Sequence, residues 1–188
     1  MLKDEVAKAL KIMQDGGIIL YPTDTIWGIG CDAANSEAVK KIYALKQREE
    51  AKSMIILLDN DNKLQSYVRE VPDIAYDLIE FAENPLTLVM PGAKNIAPEL
   101  IAPDGSIGIR VVKHPFCEQL IQRLRKPLVS TSANISGEPS PKNFNDISPE
   151  ILEGVDYVVD VDQHDLSEKK PSTIMRLSPG GQFEFLRR

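Results

Sequence analysis

The sequence predicts a single α/β domain spanning 1–188, with a mixed, twisted sheet between layers of helices. Two observations support this prediction. Apolar residues recur at helical spacing in some segments and form short continuous or alternating runs in others, and the two kinds of segment interleave along the chain. In addition, no internal repeat, low-complexity segment or break in composition marks a linker. The 188 residues therefore suit one layered domain.

Four helices are predicted. Apolar residues at helical spacing from Leu2 to Met13 form the first, which a glycine pair at 16–17 ends. Asn35 or Ser36 caps the second helix. The prolines at 72 and 115 suit the first turns of the third and fourth helices.

The third helix is expected to place Ile74, Leu78 and Phe81 on its inner face. The polar stretch 23–32, rich in Thr, Gly and Asp, is expected to be a loop. Strands are predicted at 18–21, 54–58, 86–90, 107–111, 128–130, 157–160 and 173–177, with a last one around Phe183 and Phe185.

Composition limits the classes of function. Apolar residues make up 43% of the chain, but no apolar run reaches the roughly 18 residues of a membrane-spanning helix. The N-terminus also lacks the basic segment followed by an apolar segment that a signal peptide has. We therefore expect a cytoplasmic protein without a membrane partner. The formal net charge of -6 argues against a dedicated nucleic-acid binder, although a local basic cleft stays possible. Two cysteines and two histidines supply neither a disulfide framework nor a zinc site well.

One glycine motif has two interpretations. Residues 28–33 match G-x-G-x-x-A of dinucleotide-binding folds, but that motif requires its glycines in a tight turn joining a strand directly to a helix. Here a loop precedes the glycines and the helix begins only after Asn35. Glycines in a turn close to other backbone are therefore the favoured interpretation.

Three groups of polar residues are candidates for binding. Lys46 and Arg48, with Lys52 beyond them, suit a polyphosphate, but a solvated helix end has the same pattern. The loop 130–137 follows a buried strand and carries hydroxyl and amide groups that suit a ligand or an ordinary turn. Arg110 lies in an apolar strand, so its guanidinium needs either a ligand carboxylate or an internal Asp or Glu.

Taken together, these segments resemble the YrdC-like (TsaC-type) L-threonylcarbamoyladenylate synthases. The K-x-R and S-x-N elements are the signature pair of that family, and the order and spacing of the matching pieces are specific. The pieces are Y-P-T-D-T at 21–25, W-G-I-G at 27–30, K-Q-R at 46–48, P-L-T-L-V at 85–89, I-R-V at 109–111, P-L-V-S-T-S-A-N at 127–134 and P-S-P at 139–141.

The resemblance implies a YrdC-like α/β fold around an open cleft, in the short form without an extra C-terminal domain. It also implies that L-threonine, bicarbonate and ATP give threonylcarbamoyl-AMP and pyrophosphate. A tRNA-modifying threonylcarbamoyl transferase complex would then use the product beside the anticodon. Mg²⁺ is expected to bridge the phosphates, with few ligands from the protein, and weak tRNA binding is a further possibility.

The same resemblance assigns residues. Lys46, Arg48, Ser132 and Asn134 would be catalytic. The expected ATP ligands are Lys46, Arg48, Lys52, Ser132, Asn134, Ser140 and Arg187, and the expected L-threonine ligands are Thr23, Ser106, Arg110, Ser130 and Thr173.

Several residues depart from the family pattern. The tripeptide 82–84, Ala-Glu-Asn, replaces the usual Trp-Pro-Gly. Glu49 stands where proline is common, Leu57 where some relatives have a cleft histidine, and Pro171 where an acidic residue is usual. Two alternatives to the synthase hypothesis remain at this point. One is a module that binds double-stranded RNA or tRNA, and the other is a paralogue of the same fold with a different carbamoyl or acyl substrate.

Overall fold

The structure is a computed structural model that describes residues 1–47 and 54–188. Its helices are α1 (Leu2–Gln14), α2 (Ser36–Lys46), α3 (Leu64–Tyr67), α4 (Asp73–Glu80), α5 (Pro115–Leu124) and α6 (Pro149–Gly154). Its strands are β1 (Ile19–Tyr21), β2 (Gly28–Gly30), β3 (Ile55–Leu58), β4 (Leu86–Pro91), β5 (Ser106–Val111), β6 (Leu128–Ser132), β7 (Tyr157–Val158), β8 (Thr173–Leu177) and β9 (Phe183–Arg187).

Within the described ranges, the nine strands form one mixed sheet in the order β7-β1-β2-β6-β3-β5-β4-β8-β9. β3 and β5 are parallel, as are β1 and β7, and β4 and β8, whereas the other neighbours are antiparallel. The predicted α/β class and mixed sheet are confirmed, and every predicted strand is present. The predicted cap of α2 is also confirmed, because the Asn35 side chain accepts a hydrogen bond from the Ala38 N–H at 3.1 Å.

The prediction that the segment 23–32 is a loop is wrong for part of that segment. Gly28–Gly30 forms β2, which pairs with β1 on one side and with β6 on the other. A Cβ on Gly30 would lie 2.8 Å from Cε1 of Tyr21 and still closer to the Val129 carbonyl oxygen. The glycines thus provide a close approach, as expected, but within a strand rather than in a strand-to-helix turn. The dinucleotide interpretation therefore fails.

The two faces of the sheet carry separate cores. On one face, α2, α3, α4 and α6 pack against strand residues such as Ile29, Ile56 and Ile109. On the other face, α1 and α5 cover Tyr21 and Leu57. These two helices cover only part of that face, and the cavities described below lie over the adjoining strands β3, β4, β5 and β8.

Helix α4 differs from the prediction in one residue. Ile74 and Leu78 pack against the core as expected, whereas Phe81 is 74% exposed. The helix ends at Glu80, and Phe81 is its C-cap, whose N–H still donates to the Asp77 carbonyl. Ala75 is the residue of this helix that is fully buried.

The close approach at Gly30 gives a test of the fold. Gly30→Ala should lower the free energy of unfolding by about 3 kcal/mol, because a methyl group there forces Tyr21 or the β6 backbone to move. Gly28→Ala, in the same strand, is the matched control: its Cβ would meet the Ser130 hydroxyl at 3.3 Å, and we expect a loss below about 1 kcal/mol. Urea unfolding measures both, and equal losses would contradict the predicted role of Gly30.

Candidate active site

A cavity of about 210 Å³ lies on the partly covered face of the sheet. Seven residues with hydroxyl side chains line it, together with Arg110 and Arg187. No carboxylate belongs to the part of this lining that the structure describes. The hydroxyl residues are Thr25, Thr87, Ser130, Thr131, Ser132, Ser140 and Ser172.

Strand register explains why polar residues from distant segments meet here. Arg110 of β5 lies opposite Thr87 of β4, and Thr87 lies opposite Ile174 of β8. Residues directly opposite each other in neighbouring strands point to the same face of a sheet. In the same way, Ser130 of β6 lies opposite Ile55 of β3, and Ser132 of β6 lies opposite Gly28 of β2. Gly28 has no side chain that could fill the cavity.

Arg110 is buried, with 4% of its side chain exposed, and its guanidinium is paired internally. Its Nη2 lies 3.3 Å from Oδ1 of Asp24. Of the two partners considered for this arginine, the structure thus shows the internal carboxylate. No acceptor in the described residues takes a hydrogen bond from its Nε. Because a buried N–H without a partner is costly, this group suits a ligand that accepts hydrogen bonds.

Arg187 reaches the cavity because of a β-bulge at the end of the β8–β9 hairpin. Phe185 pairs with Met175, but Arg187, two residues later, pairs with Ile174, so Leu186 is an extra residue. The bulge lets Arg187 share the cavity face with Ile174, and bulges commonly re-aim side chains in this way.

The Arg187 guanidinium is held by one backbone carbonyl. Its Nε and Nη2 donate to the Ser172 carbonyl at 2.9 and 2.8 Å. Burial, followed by the positive charge of Arg110, lowers its pKa from the usual value. Two guanidinium groups that repel each other across a cavity favour an anion between them.

Lys46 is completely buried at the end of α2. Its Nζ donates to the carbonyl oxygens of Ser132 and Asn134, at 2.6 Å for Asn134. Its own carbonyl accepts the Ser136 N–H at 2.9 Å. The alternative of a solvated helix end is therefore wrong for this residue, which joins α2 to the loop after β6.

The polar residues of the segment 130–140 take different positions. Ser130, Ser132 and Ser140 line the cavity, whereas Asn134 does not belong to its lining. The Asn134 side chain donates instead to the carbonyls of Ile135 and Glu138, at 3.0 and 2.8 Å, and so shapes its own loop.

Three of the residues assigned to L-threonine lie outside this cavity. Ser106 lines an adjoining cavity of about 540 Å³ and donates to Asp104 at 2.5 Å. Thr23 lines a cavity of about 130 Å³ and donates to the Ile26 carbonyl. Thr173 lies with Met175 along the opposite face of the sheet, because side chains alternate along β8.

Several remaining expectations concern residues elsewhere. Arg48, Glu49 and Lys52 lie outside the described residues. Leu57 is fully buried in the core beneath α1 and α5, while Pro171 lines the cavity.

The sequence reasoning assigned no role to Asp24, Thr25 or Thr87, and it included Thr131 only as part of the candidate loop 130–137. Thr87 carried a usable signal, since a polar residue within an apolar strand needs a partner just as Arg110 does. Its hydroxyl lies 2.8 Å from that of Ser172.

The described residues contain no group of three or more His, Cys, Asp or Glu side chains arranged to hold a metal ion. Across the same residues, no helix has both the length and the apolar character needed to span a bilayer.

Known proteins resemble this chain in sequence and in fold. The sequence profile of the Sua5/YciO/YrdC family, described as "Telomere recombination", matches residues 11–188. A threonylcarbamoyl-AMP synthase of Pseudoalteromonas translucida (strain TAC 125) is 38% identical over 158 residues, which are 82% of this chain and 84% of that protein. The chain belongs to the Sua5/YciO/YrdC family.

Two solved structures are close in fold. P. abyssi Sua5 complexed with L-threonine matches with a TM-score of 0.81 and 25% identity, over 94% of this chain and 52% of that one. This chain therefore spans about half the length of that relative. E. coli YciO matches with a TM-score of 0.85 over 100% of this chain and 90% of that one, and its 22% identity supports a shared fold only.

The buried ammonium of Lys46 gives a test of the site's construction. Lys46→Met should lower the free energy of unfolding by about 2–3 kcal/mol, because the carbonyls of Ser132 and Asn134 lose their donor inside the protein. Lys41→Met is the matched control, since Lys41 lies on the same helix and donates to the Gly16 carbonyl at an exposed position. We expect a loss below about 0.5 kcal/mol there. Similar urea midpoints for both variants would contradict the buried role of Lys46.

Proposed function

We propose that this protein is an L-threonylcarbamoyladenylate synthase, an enzyme of the nucleotidyltransferase type that acts on L-threonine, bicarbonate and ATP. One observation carries the proposal: the hydroxyl residues at the end of β6, Ser130–Ser132, share a cavity with Arg110 and Arg187, and no described carboxylate lines it. Such a lining suits substrates that are anionic, as a triphosphate, a carboxylate and bicarbonate all are. The synthase relative, 84% of which aligns with this chain, supports the same reaction.

The residue types fit a displacement at phosphorus. Bicarbonate loses hydroxide to supply carbon dioxide, and the amine of L-threonine takes up the carbon dioxide and releases a proton to form a carbamate, so that water is the net by-product. A carbamate oxygen then attacks the α-phosphorus of ATP, and pyrophosphate leaves with the bonding electron pair. Such a step depends on positioning and on stabilisation of charge, which guanidinium and hydroxyl groups provide without a histidine or a protein nucleophile.

Within this proposal, Arg110 receives the carboxylate of L-threonine, as its buried and incompletely bonded guanidinium suggests. Ser130 lies beside it in the cavity as a further ligand of the amino acid. Ser132, Ser140 and Arg187 contact the nucleotide. Lys46, Arg48, Lys52 and Asn134 keep the phosphate-site assignments that the family resemblance gives them, with Lys46 reaching that site through the loop it holds.

We propose that Mg²⁺ arrives as the ATP complex. The described lining contains hydroxyl groups and no carboxylate, so the phosphate oxygens and water would supply most of its ligands. The product would pass, in the cytoplasm, to a threonylcarbamoyl transferase complex that modifies tRNA, with weak tRNA binding as a further property of this chain.

Pyrophosphate release tests the reaction directly. Purified protein with ATP, MgCl₂, bicarbonate and L-threonine should release pyrophosphate, and omission of any one of these should reduce release to background. Pyrophosphate release that does not depend on L-threonine would contradict the proposal. So would RNA binding that falls steeply with salt in a protein without turnover.

Arg187→Gln should reduce kcat/KM for ATP by roughly 100-fold, because a charged hydrogen-bond donor to phosphate contributes about 2–3 kcal/mol. Arg188→Gln is the matched control: Arg188 is the next residue, and its guanidinium stacks 4.5 Å from the Phe185 ring centroid, away from the cavity. That variant should stay within about twofold of wild type. Equal losses in the two variants would exclude a specific role for Arg187.

A further inference from the structure

Asp24 belongs to a sequence motif, residues 21–25, whose acidic member has no role in the function proposed above. A rigid turn presents it: the Thr23 hydroxyl accepts the Thr25 N–H at 3.0 Å and donates to the Ile26 carbonyl at 2.8 Å. The carboxylate is then fixed from the other side, because its Oδ2 accepts the Lys113 backbone N–H at 3.1 Å. Asp24 is thereby held at both its backbone and its side chain.

The fixed carboxylate lies behind Arg110 as seen from the cavity. Asp24 lines two smaller cavities and is not part of the lining of the 210 Å³ cavity, whereas Arg110 is. Both side chains are at least nine-tenths buried, and Nη2 of Arg110 lies 3.3 Å from Oδ1 of Asp24. The contact is an ion pair rather than a hydrogen bond, because this Oδ1 accepts no hydrogen bond from the described residues, so the two groups attract each other by charge. Lys113, whose backbone N–H holds the carboxylate, follows Arg110 by three residues and lies just beyond the end of β5. The turn and the strand thus hold the guanidinium between them.

This contact has a specific physical consequence. A buried arginine without a counterion, facing the like charge of Arg187, would have no fixed orientation in the cavity. An anchored carboxylate that pairs with one edge of the guanidinium leaves its other N–H groups in a defined direction. Pre-organisation of this kind reduces the ordering cost of binding a ligand.

We propose that Asp24 is a positioning residue, which orients Arg110 toward the carboxylate of the amino-acid substrate. The proposal rests on the proposed function, because it takes L-threonine as the ligand of Arg110. Asp24 itself touches no substrate; it acts through the guanidinium.

The test is calorimetric titration of L-threonine into wild-type protein and into Asp24→Asn, without ATP. The amide is isosteric. When its oxygen accepts the Lys113 N–H, its NH2 group faces Arg110 in place of the carboxylate oxygen, so the guanidinium loses both the charge and the acceptor beside it. We expect Kd for L-threonine to rise about 10-fold, although the cavity becomes more positive. An unchanged or tighter Kd would show that Asp24 only neutralises charge and would overturn the proposal.

Two comparisons separate positioning from general stability. Asp162→Asn is the matched control, since the Asp162 carboxylate lines a neighbouring cavity and its Oδ2 lies 2.9 Å from Nε2 of His114. The Kd of this variant for L-threonine should stay within about twofold of the wild-type value. In an Arg110→Lys background, Asp24→Asn should add less than a further twofold, because the group it orients has been replaced. Additive losses would overturn the proposal.

Asp24→Glu provides a second variant if Asp24→Asn does not fold. It keeps the charge but displaces it, so we expect Kd to rise at least fivefold, and wild-type binding by this variant would overturn the proposal.

Failure of the proposed function is distinguishable from failure of the role proposed for Asp24. Wild-type protein that binds L-threonine without releasing pyrophosphate would refute the synthase activity while still deciding the role of Asp24. Wild-type protein that binds no L-threonine would refute both.

Discussion

The ammonium group of Lys46 is the interaction on which the site's geometry depends. It lies fully buried between the end of α2 and the loop after β6, and it donates to the carbonyls of Ser132 and Asn134. A buried cation is tolerated only where its hydrogen bonds are satisfied, so helix and loop are held in one arrangement. That arrangement sets the end of β6 against the cavity, where Ser132 faces the sheet's open side.

The chemistry of the cavity follows from its two guanidinium groups and from the groups that hold them. Arg110 and Arg187 come from strands separated by β4 and β8, and both guanidinium groups face the same space. Each is held from behind, Arg110 by Asp24 and Arg187 by the Ser172 carbonyl. Positive charge that is already oriented, surrounded by hydroxyl groups, stabilises anions without reorganisation. An enzyme that joins an amino-acid carbamate to a nucleotide requires little more from its side chains.

Sequence patterns predicted most of the fold because its helices and strands have strong periodicity and clear caps, as at Asn35. They failed at Gly28–Gly30, since a three-residue strand with two glycines has no alternating apolar pattern and is specified by the close packing of Tyr21. They also misplaced Thr173, because the face to which a strand residue points depends on register. The position of Arg187 in the cavity depends on a β-bulge, and Asp24, the counterion of Arg110, lies 86 residues away from it in the chain. Neither feature can be recognised from a local sequence pattern.

The most direct measurement is a crystal structure with L-threonine and a non-hydrolysable ATP analogue bound together. The account predicts that the threonine carboxylate lies on Arg110 and that the triphosphate lies between Ser132 and Arg187, with the amine directed toward the α-phosphorus. Ligands bound in the 390 Å³ groove beside Phe81, or a triphosphate that does not contact the Ser130–Ser132 segment, would contradict it.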